Sequence, residues 1–253
     1  MSVTTMTLLA ACFLPLFPLS VAFNALFRWL RHPVLRTVLL LVWPQIGVTV
    51  LASLVMPVSP WIAILALATS IFYGLRALAL RELGMWTGFL ATSSWALLWI
   101  SAYHGAAVPE LRLHALGFSV PLVLLALLTA ALERRFGAAY SGLYGGLAQR
   151  VPRLSGVLVF VVLAVIATPV FPAFFTMLAV IVASVPVAPM VALGIAGSWL
   201  IWSWAGARLL QGAIVGAGAE GDVRDLSLGV TWAYALALVL LVGAGLWWTG
   251  GAR

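Results

Sequence analysis

The chain has 253 residues, 64% of them hydrophobic and 8% charged, with a mean hydropathy of +1.17. Soluble domains carry roughly 25% charged residues, which excludes a water-soluble globular protein. The net charge of +7 rests on thirteen basic residues, all arginine. They lie in small groups between apolar runs, the pattern of loops under the positive-inside rule, and this excludes a continuous nucleic-acid-binding surface.

At about 20 apolar residues per crossing, the length predicts an all-α polytopic transmembrane helix bundle of about eight spans in a lipid bilayer. The single Cys12 rules out an internal disulfide and any cysteine metal cluster. No basic residue precedes Leu9-Ala10-Ala11-Cys12, and the run stays apolar beyond it. The sequence therefore predicts a first membrane span over about 6–27 and not a cleaved or lipidated leader.

The basic loop Arg28 to Pro33 closes that span. A second runs over about 34–56 with Pro44 inside it, up to Met56-Pro57-Val58-Ser59-Pro60. The third starts at Trp61 and ends near Arg81, and Glu82 and Gly84 turn the chain into a fourth, about 85–103. The polar stretch His104 to Glu110 leads to a fifth, about 112–132, followed by the long Gly- and Arg-rich segment Glu133 to Arg153. Later spans are expected over about 188–210 and 228–248, separated by a loop with Glu220, Asp222, Arg224 and Asp225.

Residues 154–184 are too many for one straight crossing and too few for two. Thr168-Pro169-Val170-Phe171-Pro172 places two prolines at its centre, and proline removes a backbone donor and clashes with the preceding turn. Either a hairpin of two short spans or one helix broken into halves results. With eight crossings and the N-terminus outside, eleven arginines face the cytoplasm against Arg112 and Arg253; with nine the split is ten to three. The charge bias favours the broken helix over Thr168–Pro172, both termini outside, and Thr168, Pro169 and Thr176 as ion-pathway candidates beside the break.

The order of several features resembles the antiporter-like membrane subunits of respiratory complex I and of Mrp-type cation antiporters. They are Leu132-Glu133-Arg134-Arg135, Gly145-Gly146-Leu147 with Arg150 and Pro152, the break at Thr168-Pro169, and Val187-Ala188-Pro189. Gly88-Phe89-Leu90-Ala91-Thr92-Ser93-Ser94 resembles another segment of that family. The resemblance covers about 82–212, within a single integral membrane domain (1–253) whose N-terminal spans are 1–81 and whose last span lies in 213–253. It implies the second of the family's two inverted repeats, with the first missing. It also implies a proton- or sodium-linked role, a bacterial inner-membrane location and partner subunits of a membrane complex.

One departure carries weight. The family's ion path is a buried row of lysines, glutamates and histidines, whereas this chain has no lysine. Aligned on Pro169, the family's lysine or glutamate falls at Met177 and its histidine near Gly117. Intramembrane charge is costly and marks function; here every acidic residue falls at a span end or in a loop.

The remaining coupling candidates are weighed against plainer roles. Arg76, inside the apolar end of the third span, either faces a polar cavity or extends to the headgroups. Glu133, beside Arg134, either lines a pathway mouth or forms an interfacial ion pair. His114 stands where a relay would begin, and with Glu110 and His104 its spacing is a weak metal pattern. Trp199, Trp202 and Trp204 read as packing or belt residues. No phosphate-binding loop, metal pair or nucleophile is apparent, so no cofactor and no catalysis by this chain are expected.

The sequence thus supports a shortened antiporter-like subunit that anchors and couples within an ion-gradient-driven complex without pumping by itself. Two alternatives remain open: the membrane half of an energy-coupled inorganic-carbon (CO2 or bicarbonate) uptake system paired with a zinc carbonic-anhydrase-like protein, and an independent small-solute permease.

Overall fold

A computed structural model describes residues 3–54, 57–142, 146–216 and 223–251. Met56, Gly145, Glu220, Asp222 and Arg253, used above, lie outside the described residues. The elements are α1 (Val3–Phe13), α2 (Ser20–Trp29), α3 (Pro33–Ala52), α4 (Pro60–Ala79), α5 (Leu83–Tyr103), α6 (Val108–Phe136), the short α7 (Leu147–Arg150), α8 (Pro152–Val165), α9 (Pro172–Ser184), α10 (Pro189–Ile214) and α11 (Leu228–Gly251). The only extended pairing among the described residues is a single bridge between Glu82 and Tyr140.

The boundaries follow from the punctuation. Pro33, Pro60, Pro152, Pro172 and Pro189 each stand in the first turn of a helix, where the missing N–H has no intrahelical partner to lose. Gly137, at φ 77, ends α6 in the left-handed conformation. Five helices, α3, α4, α6, α10 and α11, are long and apolar enough to cross a membrane. A sixth, α5, has 21 residues and is buried almost throughout, with α2, α4 and α6 packed around it. Its Gly, Thr and Ser residues let neighbouring helices approach closely, as membrane helix interfaces require.

The two remaining passages are each made of two halves. The first α8 residues, Arg153 and Leu154, are tied to Asp225 beside the start of α11. The end of α9 lies beside the start of α6, where Ser184 meets His104. Both halves pack on α6. The pair therefore runs from one end of α6 to the other, which selects the broken helix over the hairpin.

The N-terminal segment departs from the expected single span over 6–27. It is also broken, between Phe13 and Ser20: α1 packs on α3 and α2 on α5, and Trp99 of α5 holds Leu14 O in the joint. Pro15 and Pro18 supply the physical reason: neither can donate a helical hydrogen bond. Among the described residues, six helices of 20 residues or more and two composite ones fit an all-α bundle of about eight passages.

Loops converge at one end of the bundle. Leu83 N donates to Ala139 O, Ser141 N to Arg81 O, and Gly142 N to Gly212 O. Arg135 reaches Arg224 O, and Arg36 reaches both Leu30 O and Glu133. Eleven of the thirteen arginines belong to the helix ends and loops gathered here. Arg112 lies at the opposite end, where Gln45 donates to its carbonyl.

Candidate functional site: two helix breaks and an uncharged interior

At the second break, Pro169 stops α8 from continuing and Pro172 starts α9. Thr168 caps the open end: its N–H and hydroxyl both donate to Leu163 O, at 3.1 and 2.9 Å. Trp199 of α10 donates its indole N–H to Ile166 O at 3.2 Å and Ala167 O at 3.1 Å. Ala167 and Val170 hold φ of 58 and 77°, a region costing side-chain-bearing residues roughly 1–3 kcal/mol each. Gly245 of α11 passes over the break so closely that a Cβ there would strike Val170 O.

Thr176, one turn into α9, is fully buried, and its hydroxyl has no hydrogen-bond partner. It faces Gly117 of α6, where a Cβ would lie 2.8 Å from the Thr176 Oγ1. Met177 is buried with no exposed surface. The two positions where the resemblance calls for ionisable residues are thus a glycine in tight contact with Thr176 and a fully buried thioether.

The first break is held by three other helices. Trp99 of α5 donates to Leu14 O at 2.9 Å, Trp43 of α3 to Cys12 O at 3.2 Å, and Phe17 N donates to Thr69 Oγ1 of α4 at 3.1 Å. Just beyond it, Ser20 Oγ and Tyr73 OH lie 2.9 Å apart, and the Asn24 amide donates to Thr92 Oγ1 at 2.8 Å. The polar path continues inward: Ser93 Oγ donates to Ser70 O at 2.6 Å and accepts from Trp202 Nε1 at 2.8 Å. Trp95 donates to Ser119 Oγ at 3.1 Å. Thr92 and Ser93 of the Ala91–Ser94 segment therefore face this interior, and Trp199 and Trp202 do more than pack. Trp204 is 60% exposed on the outer surface.

Among the described residues, the buried polar set is serines and threonines apart from Arg36 and His114, and both of these stand near helix ends. Hydroxyls and indoles can pass hydrogen bonds along, but none holds a net charge near neutrality.

The structure does not bring the sequence-derived candidates together. Arg76 is exposed, with its guanidinium 5.9 Å from the Phe72 ring and 5.7 Å from the Phe89 ring. It borders a cavity of about 330 Å³ with Asn24, Arg28, Tyr73 and Gly88, close to the first break. Glu133 pairs with Arg36 of α3 at 3.7 Å, not with adjacent Arg134. Arg36 is 6% exposed, donates to Leu30 O at 2.6 Å and lies 5.4 Å from the Phe27 ring centre. An open cleft of about 470 Å³ with Arg28, Arg31 and Glu82 adjoins this pair. His114 is 2% exposed and stacks on Trp248, with Ser101 Oγ 3.4 Å from Nδ1 and Glu110 Oε1 3.8 Å from Nε2. His104 is elsewhere, its Nε2 2.8 Å from Ser184 Oγ; burial lowers its pKa from the ordinary histidine value. No group of three metal-ligating side chains occurs among the described residues.

Sequence reasoning missed Asn24, Tyr73 and Thr69. A lone asparagine in an apolar run was the available signal, since an amide at membrane depth needs a partner.

No protein-family model matches the chain, and no curated protein does. Solved structures do. A chain of respiratory complex I from Thermus thermophilus with bound NADH superposes over 99% of this chain and 56% of its own length, with TM-score 0.87 and 23% identity. A chain of the Mrp complex from Dietzia sp. DQ12-45-1b matches 96% of this chain and 55% of its own, with TM-score 0.81 and 14% identity. The membrane-bound sulfane sulfur reductase, an archaeal respiratory membrane complex, contributes a chain matching 95% and 51%, with TM-score 0.74 and 16% identity. At these identities the likeness establishes a shared membrane-helix fold. The chain spans about half the length of the chains it matches.

Proposed function

We propose that this chain is an antiporter-like membrane subunit of a complex coupled to a proton or sodium gradient, where it anchors and couples partner subunits without pumping by itself. The observation that carries the reading is a contrast. Nearly the whole chain adopts the fold of chains from three membrane complexes, while hydroxyls, indoles, Gly117 and Met177 occupy the interior between its ends. A relay without a titrating group cannot store an ion at mid-membrane, so any translocation needs a partner's residues.

The same reading places the arginine-rich end in the cytoplasm of a bacterial inner membrane, with both termini outside. Isolation in mild detergent from a native or reconstituted host tests the assignment. Co-purification with other membrane subunits of a redox or antiport complex is expected. A pure homo-oligomer that transports a solute on its own would overturn it. Orientation is read separately with Tyr140→Cys in a Cys12→Ser background, because Tyr140 is exposed whereas Ser141 is tied to Arg81 and Leu209. Labelling from the outside would reverse the topology.

A further inference from the structure

The last turn of α6 and the loop before α11 form a recess of about 450 Å³ that differs from both breaks. Arg134, Arg135 and Arg224 border its mouth, and Leu124, Leu127 and Tyr234 line it deeper down. Its acid, Asp225, is already engaged. Its carboxylate accepts from Arg153 N at 2.9 Å, Leu154 N at 3.0 Å and Leu226 N at 2.7 Å. Neither ion pair found among the described residues involves the three arginines. Arg135 is held in place by donating Nε to Arg224 O at 3.0 Å and Nη1 to Ala131 O at 2.9 Å.

We propose that this recess binds one phospholipid with an anionic headgroup, its phosphate among the three guanidiniums and an acyl chain along the apolar wall. Two properties select this occupant. Three guanidinium groups around a single carboxylate, whose oxygens already accept from three backbone N–H groups, leave excess positive charge that suits a phosphate, which arginine binds with planar paired donors. The apolar wall calls for a chain. From Arg135 to Leu124 is eleven residues, about 16 Å of helix, close to half of the roughly 30 Å hydrocarbon thickness. The recess therefore matches one leaflet in depth. Helix-end arginines also complement the α6 dipole, a role that gives no preference among lipids. This inference is independent of the proposed coupling function.

The test uses the full chain, purified and delipidated in mild detergent, with lipid retention followed by native mass spectrometry. Phosphatidylglycerol and phosphatidylcholine with identical acyl chains are titrated, and glycerol phosphate serves as the headgroup alone. Phosphatidylglycerol is expected to bind at least tenfold more tightly than phosphatidylcholine. The combined Arg134→Gln, Arg135→Gln, Arg224→Gln variant is expected to erase that preference, while Arg76→Gln, at the separate cavity beside the first break, stays within twofold of the parent. Ala233→Trp, which fills the recess from an exposed position on α11, is expected to weaken binding with every charge intact. Equal binding of the two lipids overturns the proposal, as does an unchanged preference in the triple variant. Competition by glycerol phosphate at the lipid's own concentration also overturns it, because the site would then be one for soluble anions. Should the triple variant not fold, Arg224→Gln alone decides: a loss of about threefold supports the site, and unchanged binding removes it.

Discussion

Pro15-Leu16-Phe17-Pro18 and Pro169-Val170-Phe171-Pro172 each separate two apolar half-helices, with proline first and fourth and phenylalanine third. At the first, Leu16 is buried at 4% and Phe17 is 47% exposed; at the second, Val170 is 43% exposed and Phe171 is buried at 6%. The left-handed turn at Val170 accompanies this exchange. Indoles from α3 and α5 and a hydroxyl from α4 hold the first break. The second relies on its own Thr168 and on Trp199. Two prolines thus dictate that a membrane helix breaks, whereas the surrounding donors decide whether the joint is braced or strained.

The largest expected effect tests that difference at matching positions. Leu16→Gly should cost at least the roughly 2–5 kcal/mol of truncating a buried leucine. Val170→Gly should raise stability by about 1 kcal/mol, since glycine relieves a strain of roughly 1–3 kcal/mol and forfeits some of it in entropy. Detergent-solubilised unfolding midpoints measure both. Shifts in the same direction would mean that the two joints are not held differently.

A second test addresses the second half of the later break through Met177 of α9. Met177→Lys should cost about 2.5–3.5 kcal/mol of insertion free energy, whereas Met177→Leu should stay within about 1.5 kcal/mol. Membrane content, complex assembly and ion-coupled activity are the readouts. Normal assembly of Met177→Leu with coupling lost would contradict a non-pumping role.

The smallest effect concerns the indole ties. Trp199→Phe leaves two break carbonyls without their donor and should cost about 1–3 kcal/mol. Trp99→Phe removes one donor from a joint with several and should cost about 1 kcal/mol. Equal losses would show that the second joint has other support.

The all-α bundle and its approximate number of spans were legible because apolar length and charge alternation report crossings directly. The second break was legible for a different reason: residues 154–184 are the wrong length for a simple span, which drew attention to Pro169 and Pro172. Pro15 and Pro18 carry the same signal inside a stretch of ordinary span length, and length alone cannot separate one helix from two halves in line. The site was less legible. Glu133 finds Arg36, nearly a hundred positions away, and nothing local distinguishes that pairing from one with Arg134. His114 is enclosed by Trp248 from the far end of the chain, a contact that no spacing rule encodes.

The arginine-rich end has a chemical consequence for mapping any assembly that contains this chain. With no lysine in the sequence, its side chains offer no primary amine, so amine-to-amine crosslinkers cannot attach to them even where a partner lies in contact. Carbodiimide coupling to a partner's lysine remains open, but Asp225 is occupied by three backbone N–H groups and Glu133 by Arg36. Among the described carboxylates at that end, Glu82, on the open cleft with Arg28 and Arg31, is then the one from which a neighbouring subunit can be covalently traced.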